Sequence, residues 1–165
     1  MDADFCGLFG QEDPYNKDSA RSRTGYIVLL GGWPIIWFTK TQSSCSQSTL
    51  EAEYLALSSA LRAFMPLKWL MKEMISKIEC EPLDKIQLHT TVFEDNQSAY
   101  LLAKNQRITS RTKYLLVKWH WFWDLYNKGE FQIVKCPTDA MAADYLTKSL
   151  KKEHFERNRK AVQGW

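Results

Sequence analysis

A short apolar segment that doubles back on itself places the strongest constraint on the fold of this chain. Residues 25–31 (GYIVLLG) and 34–40 (PIIWFTK) are rich in strand-forming side chains, and Gly31, the last residue of the first run, is followed by Gly32. Two such runs separated by a glycine pair are typical of an antiparallel β-hairpin, because glycine adopts the backbone conformations that tight turns require. We therefore predict a sheet that opens with antiparallel strands.

A capped amphipathic helix is predicted after the hairpin. Ser48 and Glu51 form the S-x-x-E pattern of a capping box, in which the serine hydroxyl binds a free amide and the glutamate reaches back to the amide of Ser48. Apolar residues then recur every three or four positions, the period of a helix with one buried face. These residues are Leu50, Tyr54, Leu57, Leu61 and Phe64. We expect Pro66 to end or kink this helix, with a second helical stretch after it.

The rest of the chain alternates between strands and helices. The patterns predict strands at 86–94 and 130–136, and helices at 95–104, 115–126, 138–146 and 151–162. Antiparallel opening strands followed by alternating helices and strands favour an α/β fold, with a mixed central sheet flanked by helices. Because we find no linker or repeat, we expect residues 1–165 to form a single domain.

Composition excludes several classes of protein. The net charge of +3 is too small by itself to indicate nucleic-acid binding. No apolar run approaches the roughly 20 residues of a membrane helix, and no basic leader precedes an apolar stretch, so we expect neither a membrane partner nor a secretory signal. The four cysteines contain no C-x-x-C pair, so we expect reduced thiols in an intracellular protein.

Four acidic residues lie where predicted strands or helices begin or end: Asp2, Glu53, Asp95 and Asp144. Carboxylates at such positions can converge in one cleft, where their repulsion is relieved by cations, and hard oxygen ligands suit Mg²⁺ or Mn²⁺. Two such ions about 3.5–4 Å apart can activate water and stabilise a leaving oxygen in phosphodiester cleavage. Each acid taken alone is typical of a solvated surface, so the pattern itself leaves both interpretations open.

Six short motifs occur in a fixed order along nearly the whole chain. They are residues 2–5 (DADF), 22–32 (SRTGYIVLLGG), 51–58 (EAEYLALS), 94–99 (EDNQSA), 110–113 (SRTK) and 143–148 (ADYLTK). The ordered set resembles the ribonuclease H domain of Copia-type LTR retrotransposon polyproteins. The resemblance implies a ribonuclease H-like fold and an endonuclease that hydrolyses the RNA strand of RNA–DNA hybrids, leaving a 3′-hydroxyl and a 5′-phosphate.

The resemblance also implies the ligands of two metal ions, either Mg²⁺ or, as the alternative, Mn²⁺. The family's Asp–Glu–Asp–Asp set is carried over onto Asp2, Glu53, Asp95 and Asp144 as catalytic and metal-binding residues. By this resemblance, Asp2 and Asp95 bear on both ions. Glu53 then bears on the ion nearer the leaving oxygen, and Asp144 on the ion that holds the attacking water.

Two of these assignments have alternatives. Asp4 could replace Asp2 within the same motif, and Glu51 could replace Glu53. We favour Glu53 because Glu51 already has a local role in the capping box, and because small and apolar residues then follow Glu53 at the positions where the family's helix carries them.

The resemblance implies contacts with an RNA–DNA hybrid, and an upstream reverse transcriptase domain of the same polyprotein as a partner. Choice of the RNA strand should come from 2′-hydroxyl contacts, and basic side chains should hold phosphates without reading sequence. The predicted nucleic-acid-binding residues are Asn96, Gln97, Arg107, Arg111, Lys113 and Lys118. The expected location is intracellular, either in a cytoplasmic virus-like particle or in the nucleus.

The chain departs from the family pattern in two places. Only Met1 precedes Asp2, so we expect a first strand truncated at its N-terminus that holds Asp2 poorly. In addition, Tyr114 and Leu116 stand where the family usually has His and Asp. These departures favour an alternative function, a catalytically inactive, retroelement-derived remnant that still binds nucleic acid.

Overall fold

The computed structural model of the protein describes residues 1–9, 15–16, 19–78, 87–106, 109–110, 113–115 and 120–164. The strands are β1 (Asp2–Asp4), β2 (Arg23–Leu30), β3 (Trp33–Thr41), β4 (Thr91–Glu94) and β5 (Gln132–Lys135). The α-helices are α1 (Thr49–Lys77), α2 (Gln97–Asn105), α3 (Trp123–Asn127) and α4 (Lys152–Gln163). Short 3-10 helices span His120–Phe122, Thr138–Ala140 and Ala142–Leu146.

The predicted hairpin is confirmed as β2 and β3. The two strands pair antiparallel from Arg23 opposite Thr41 to Leu30 opposite Trp33. Gly31 and Gly32 make the turn at φ values of 58° and 88°, a region that favours glycine. Strand β1 pairs antiparallel with the other edge of β2, so the sheet order is β1-β2-β3.

A second sheet contains β4 and β5, which run parallel to each other. The Met1 amine donates a hydrogen bond of 3.2 Å to the Phe93 carbonyl, next to β1. The α/β class is therefore confirmed, with both kinds of strand pairing. In the part of the chain that the structure describes, however, the pairing occurs in two small sheets rather than in the one mixed sheet that we predicted.

Pro66 does not end the first helix, which was one of the two predicted alternatives, because α1 continues from Thr49 to Lys77. Proline removes one helical hydrogen bond, which costs least where water reaches the freed carbonyl. Pro66 is exposed, whereas Met65 and Lys68 on either side of it are buried. Beyond Pro66, the buried Lys68 ties the helix to Glu130, with which its ammonium group forms an ion pair of 3.0 Å. The earlier turns of α1 bury Tyr54, Leu57 and Leu61 completely or nearly so.

The other elements differ from prediction mainly in extent. Helices α2 and α4 and strand β5 lie at the predicted places. The predicted strand at 86–94 is confined to Thr91–Glu94, and residue 86 and residues 116–119 of the aromatic segment lie outside the described residues. The predicted helix at 138–146 is two 3-10 helices, because Met141 between them is extended. No helix among the described residues has the length and apolar character needed to span a bilayer.

Candidate metal centre

Three carboxylates from distant parts of the chain meet in one place. Asp2, Glu53 and Asp95 each offer an oxygen atom, and these oxygen atoms all lie within 4.8 Å of one another. Asp2 is 0% exposed and Glu53 is 4% exposed, while Asp95 is partly buried. The structure therefore brings together three of the four predicted ligands, and the binding of a metal by them stays a prediction.

Local structure fixes the orientation of these acids. The backbone amide of Ala3 donates a hydrogen bond of 2.9 Å to Glu53 Oε2, which ties the first turns of α1 to β1. The Thr147 hydroxyl donates to Asp2 Oδ2. Asp95 follows the last residue of β4 and precedes Asn96, the N-cap of α2. Each carboxylate is thus positioned by a strand or helix that begins or ends close to it.

The fourth predicted ligand, Asp144, reaches this cluster through a lysine. Asp144 lies in the 3-10 helix Ala142–Leu146. The Lys148 Nζ lies 3.0 Å from Asp2 Oδ1 and 3.1 Å from Asp144 Oδ1. Asp144 is therefore adjacent to Asp2, with an ammonium group between them.

Helix α4 and strand β3 support the segment that carries Asp144. The Asn158 side-chain amide donates a hydrogen bond of 3.4 Å to the Met141 carbonyl, and Arg157 donates to the Asp139 carbonyl. From the other side, the Thr39 hydroxyl donates a hydrogen bond of 2.7 Å to the Leu146 carbonyl. The placement of Asp144 depends on these contacts.

Crowding and burial of acids raise their pKa values. Burial, with added repulsion from Glu94, Asp2 and Asp95, raises the pKa of Glu53 to about 10. Burial and the neighbouring Asp2 raise the pKa of Asp144 to about 6, although Lys148 opposes this change. Such values describe carboxyl groups that bind protons tightly when no other cation neutralises them.

Glu94 is a member of this acidic region that our sequence reasoning missed as a site residue. It is fully buried, and its Oε1 accepts a hydrogen bond of 2.8 Å from the Asn96 amide. Burial raises the pKa of Glu94 to about 8. Strand alternation could have indicated it: side chains alternate between the faces of a strand, and the neighbouring Phe93 is 51% exposed.

The donor set fits a hard divalent cation. Carboxylate oxygens are the ligands that Mg²⁺ and Mn²⁺ prefer. Within the described ranges, Asp95 Oδ1 and Glu94 Oε2 are buried oxygens with no hydrogen-bond partner. Buried acceptors without a partner are rare, and a bound cation or proton is a common explanation. These residues could therefore hold a metal ion.

The alternative ligands lie outside the group of three. Glu51 Oε2 accepts hydrogen bonds from the Gln47 amide at 2.8 Å and from the Tyr114 hydroxyl at 3.3 Å. Ser48 caps α1 as predicted. The prediction that Glu51 accepts a hydrogen bond from the amide of Ser48 is wrong, because the donor is the amide of the preceding residue, Gln47. Asp4 is partly buried, and burial raises its pKa.

The predicted nucleic-acid contacts are only partly described. The Asn96 side-chain oxygen accepts hydrogen bonds from the amides of Ser98 at 2.9 Å and Ala99 at 3.0 Å, so it serves as the cap of α2. Gln97 and Lys113 are exposed. Arg107, Arg111 and Lys118 lie outside the described residues.

Comparison with known proteins shows which proteins the chain resembles in sequence. Over 162 residues it is 32% identical to the retrovirus-related Pol polyprotein from transposon TNT 1-94 of Nicotiana tabacum, a match that covers 92% of this chain and 12% of that protein. The chain is homologous to part of a retrotransposon Pol polyprotein. It is also 29% identical over 155 residues to the retrovirus-related Pol polyprotein from transposon RE1 of Arabidopsis thaliana, covering 94% of this chain and 10% of that protein.

The predicted resemblance to Copia-type polyproteins is therefore confirmed at the level of the Pol polyprotein. The polyprotein from transposon RE2 of Arabidopsis thaliana is 28% identical, with the same coverage as that from RE1. The chain spans about a tenth of the length of the curated relatives it matches. No family model and no solved structure matches it.

Proposed function

We propose that this chain is the ribonuclease H part of a retrotransposon Pol polyprotein and that it hydrolyses the RNA strand of RNA–DNA hybrids. The observation that carries the proposal is the convergence of Asp2, Glu53 and Asp95 oxygens within 4.8 Å of one another. Three remote segments contribute these acids, two of which are almost completely buried. Burial of like charges is costly unless cations neutralise them, so the arrangement favours a metal-binding role over a solvated surface.

The chain's own residues would hold and orient the reacting groups. Asp2, Glu53 and Asp95 would ligate divalent cations, with Asp144 as a fourth ligand. Bound Mg²⁺ or Mn²⁺ would supply Lewis acidity that activates water and stabilises the leaving 3′-oxygen. The hydrogen bond from the Ala3 amide keeps Glu53 in one orientation, and such preorganisation avoids rearrangement during the reaction.

The homology supports a hybrid as the substrate. Reverse transcription produces an RNA–DNA hybrid, and the relatives of this chain are retrovirus-related Pol polyproteins. The chain would therefore act on the product of a reverse transcriptase domain in the same polyprotein, inside the cell. Exposed Gln97 and Lys113 are the predicted nucleic-acid contacts that the structure describes and that remain open to solvent.

The test compares two buried glutamates that lie two residues apart on α1. Cleavage of an end-labelled RNA–DNA hybrid in Mg²⁺ is measured for the unmodified chain, Glu53→Gln and Asp95→Asn, with Glu51→Gln as the matched control. Glu51 is 7% exposed and Glu53 is 4% exposed, but only Glu53 lies in the group of three. We expect Glu53→Gln and Asp95→Asn to abolish cleavage, and Glu51→Gln to retain it.

Hybrid binding, measured by fluorescence anisotropy without cleavage, separates the outcomes. Full cleavage by Asp95→Asn would refute the assigned site. Hybrid binding by every variant, with no cleavage even by the unmodified chain, would instead support the inactive nucleic-acid-binding remnant.

A further inference from the structure

Lys148 occupies an unusual position at the edge of the acidic cluster. Its ammonium nitrogen lies about equally far from Asp2 Oδ1 and Asp144 Oδ1, at 3.0 and 3.1 Å. Asp2 is fully buried, whereas the Lys148 side chain is 31% exposed. In the portion of the chain that the structure describes, the ion pairs of both acids are made with this lysine. The ammonium group of Lys148 therefore separates Asp2 from Asp144, two of the predicted metal ligands.

A divalent cation shared by Asp2 and Asp144 would need the space that the ammonium group fills. Magnesium binds carboxylate oxygens at about 2.0–2.1 Å, shorter than the ammonium–oxygen distances seen here. The ammonium group and a metal ion cannot occupy that position together, because they would overlap and their positive charges would repel each other. The ammonium group must therefore leave before a metal ion can bridge these acids.

The surroundings of Lys148 allow it to leave. Lysine carries a compact charge on a flexible four-carbon stem. Lys148 lines an open pocket together with Asp4, Arg23 and Tyr145. The partly buried carboxylate of Asp4 lies in this pocket and offers the displaced ammonium group another partner.

We propose that Lys148 is a built-in counter-ion that takes the place of the second metal ion. In the metal-free chain it bridges Asp2 and Asp144, and a divalent cation that binds this pair must displace it. The inference rests on the proposed metal site and adds a residue that sets the affinity of its second ion. Lys148 is thus a positioning residue, since it acts through the two carboxylates.

Two measurable consequences follow from competition between Lys148 and a metal ion. Without metal, loss of the ammonium group leaves Asp2 and Asp144 to repel each other, so the folded chain is destabilised. With metal, the same loss removes the competitor, so the second ion binds more tightly. Mutation of a residue that contacts metal ligands commonly changes metal affinity by about 10–100-fold. For loss of the Lys148 ammonium group we expect the affinity for the second ion to rise about tenfold.

The experiment uses Lys148→Met, which keeps most of the length of the side chain and removes its charge. Binding of Mn²⁺ alone to the full chain is measured by isothermal titration calorimetry, and the thermal midpoint is measured in EDTA and in excess Mg²⁺. We expect tighter binding of the second Mn²⁺, a lower midpoint in EDTA, and a smaller deficit in Mg²⁺.

Lys68→Met is the matched control. Lys68 is 3% exposed, and its ammonium group pairs with Glu130 at 3.0 Å, outside the group of three acids. Its loss should lower the thermal midpoint equally in EDTA and in Mg²⁺, and it should leave Mn²⁺ binding unchanged. A deficit that Mg²⁺ relieves only in Lys148→Met supports the counter-ion role.

The outcomes distinguish this inference from the proposed function. If Mn²⁺ binds the unmodified chain and Asp95→Asn equally, or neither of them, the proposed metal site fails. If Asp95→Asn weakens binding but Lys148→Met binds the second ion as the unmodified chain does, only the counter-ion role is overturned. Should Lys148→Met not fold, Lys148→Arg provides the test. Because arginine keeps the charge and adds forked donors, second-ion binding should be no tighter than in the unmodified chain, and tighter binding would overturn the role.

Discussion

The substitution Gly25→Ala adds a single methyl group on the strand that pairs with β1, and it should disturb the position of Asp2. Gly25 lies in β2 opposite Asp2, and it also packs against the segment that carries Asp144. A Cβ atom at this position would lie 2.5 Å from Thr147 Cγ2 and 3.1 Å from Leu146 Cβ. Non-bonded carbon atoms prefer about 3.5–4.0 Å, so Gly25→Ala must push Thr147 away by roughly 1 Å.

The side chain of Thr147 cannot simply rotate out of the way. Its hydroxyl donates to Asp2 Oδ2 and also lies 3.2 Å from the Asp144 carbonyl, so rotation would break the contact that orients Asp2. Overpacking of this kind costs about 1–3 kcal/mol in the free energy of unfolding. For a chain of this size each kcal/mol lowers the thermal midpoint by about 2–4 °C. Misplacement of a ligand by about 1 Å can also cost about 100-fold in rate.

Urea denaturation and hybrid cleavage should be measured for Gly25→Ala, Thr147→Ser and the double variant. Serine keeps the hydroxyl and removes the clashing methyl group, so Thr147→Ser should restore part of what Gly25→Ala loses. The remaining contact with Leu146 Cβ prevents full recovery. We expect a coupling energy above about 0.5 kcal/mol in this double-mutant cycle. If Thr147→Ser has the same effect in both backgrounds, the steric reasoning is wrong.

Two further predictions concern stability. Glu53 and Glu94, with pKa values of about 10 and 8 against the ordinary 4.5, bind protons more tightly when folded. The free energy of unfolding in EDTA should therefore fall as the pH rises from 6 to 8, by up to about 1.4 kcal/mol per pH unit for each proton. Urea titrations at each pH measure this change, and a rise would contradict the burial of these acids. Ser48→Ala should cost about 1 kcal/mol by removing the cap of α1, whereas Ser48→Asp should retain it in thermal unfolding, and equal losses would exclude a capping role.

The features that sequence reasoning predicted well are those whose causes are local. The glycine pair at Gly31 and Gly32 determines the hairpin through its own backbone preferences, and Ser48 caps α1 through the amide of Glu51. Pro66 does not end α1, because its local effect is outweighed by a distant contact: the buried Lys68 pairs with Glu130, which is far away in sequence. The same limit applies to residues 138–146, where the buried Met141 interrupts the predicted helix.

The candidate site divides in the same way. Resemblance to a family is what selects Asp2, Glu53 and Asp95, because nothing in their spacing requires them to meet. Lys148 was missed although it lies four residues after Asp144, a spacing that pairs charges on helices. Its importance comes from Asp2, which is 146 residues away and adjacent only in the folded chain. Long-range contacts of this kind leave no local pattern.

The acids of the candidate site are not held equally firmly, because Asp144 depends on contacts with α4. Asp2 and Glu53 are joined through the Ala3 amide, deep against the longest helix. The segment of Asp144 rests instead on side-chain bonds from Asn158, Arg157 and Thr39 at the periphery. Proteins open locally at such margins long before they unfold globally. Detachment of α4 would therefore displace Asp144 from the proposed metal site while leaving most of the fold intact. A sample that is folded by global measures could then still lack a complete set of ligands.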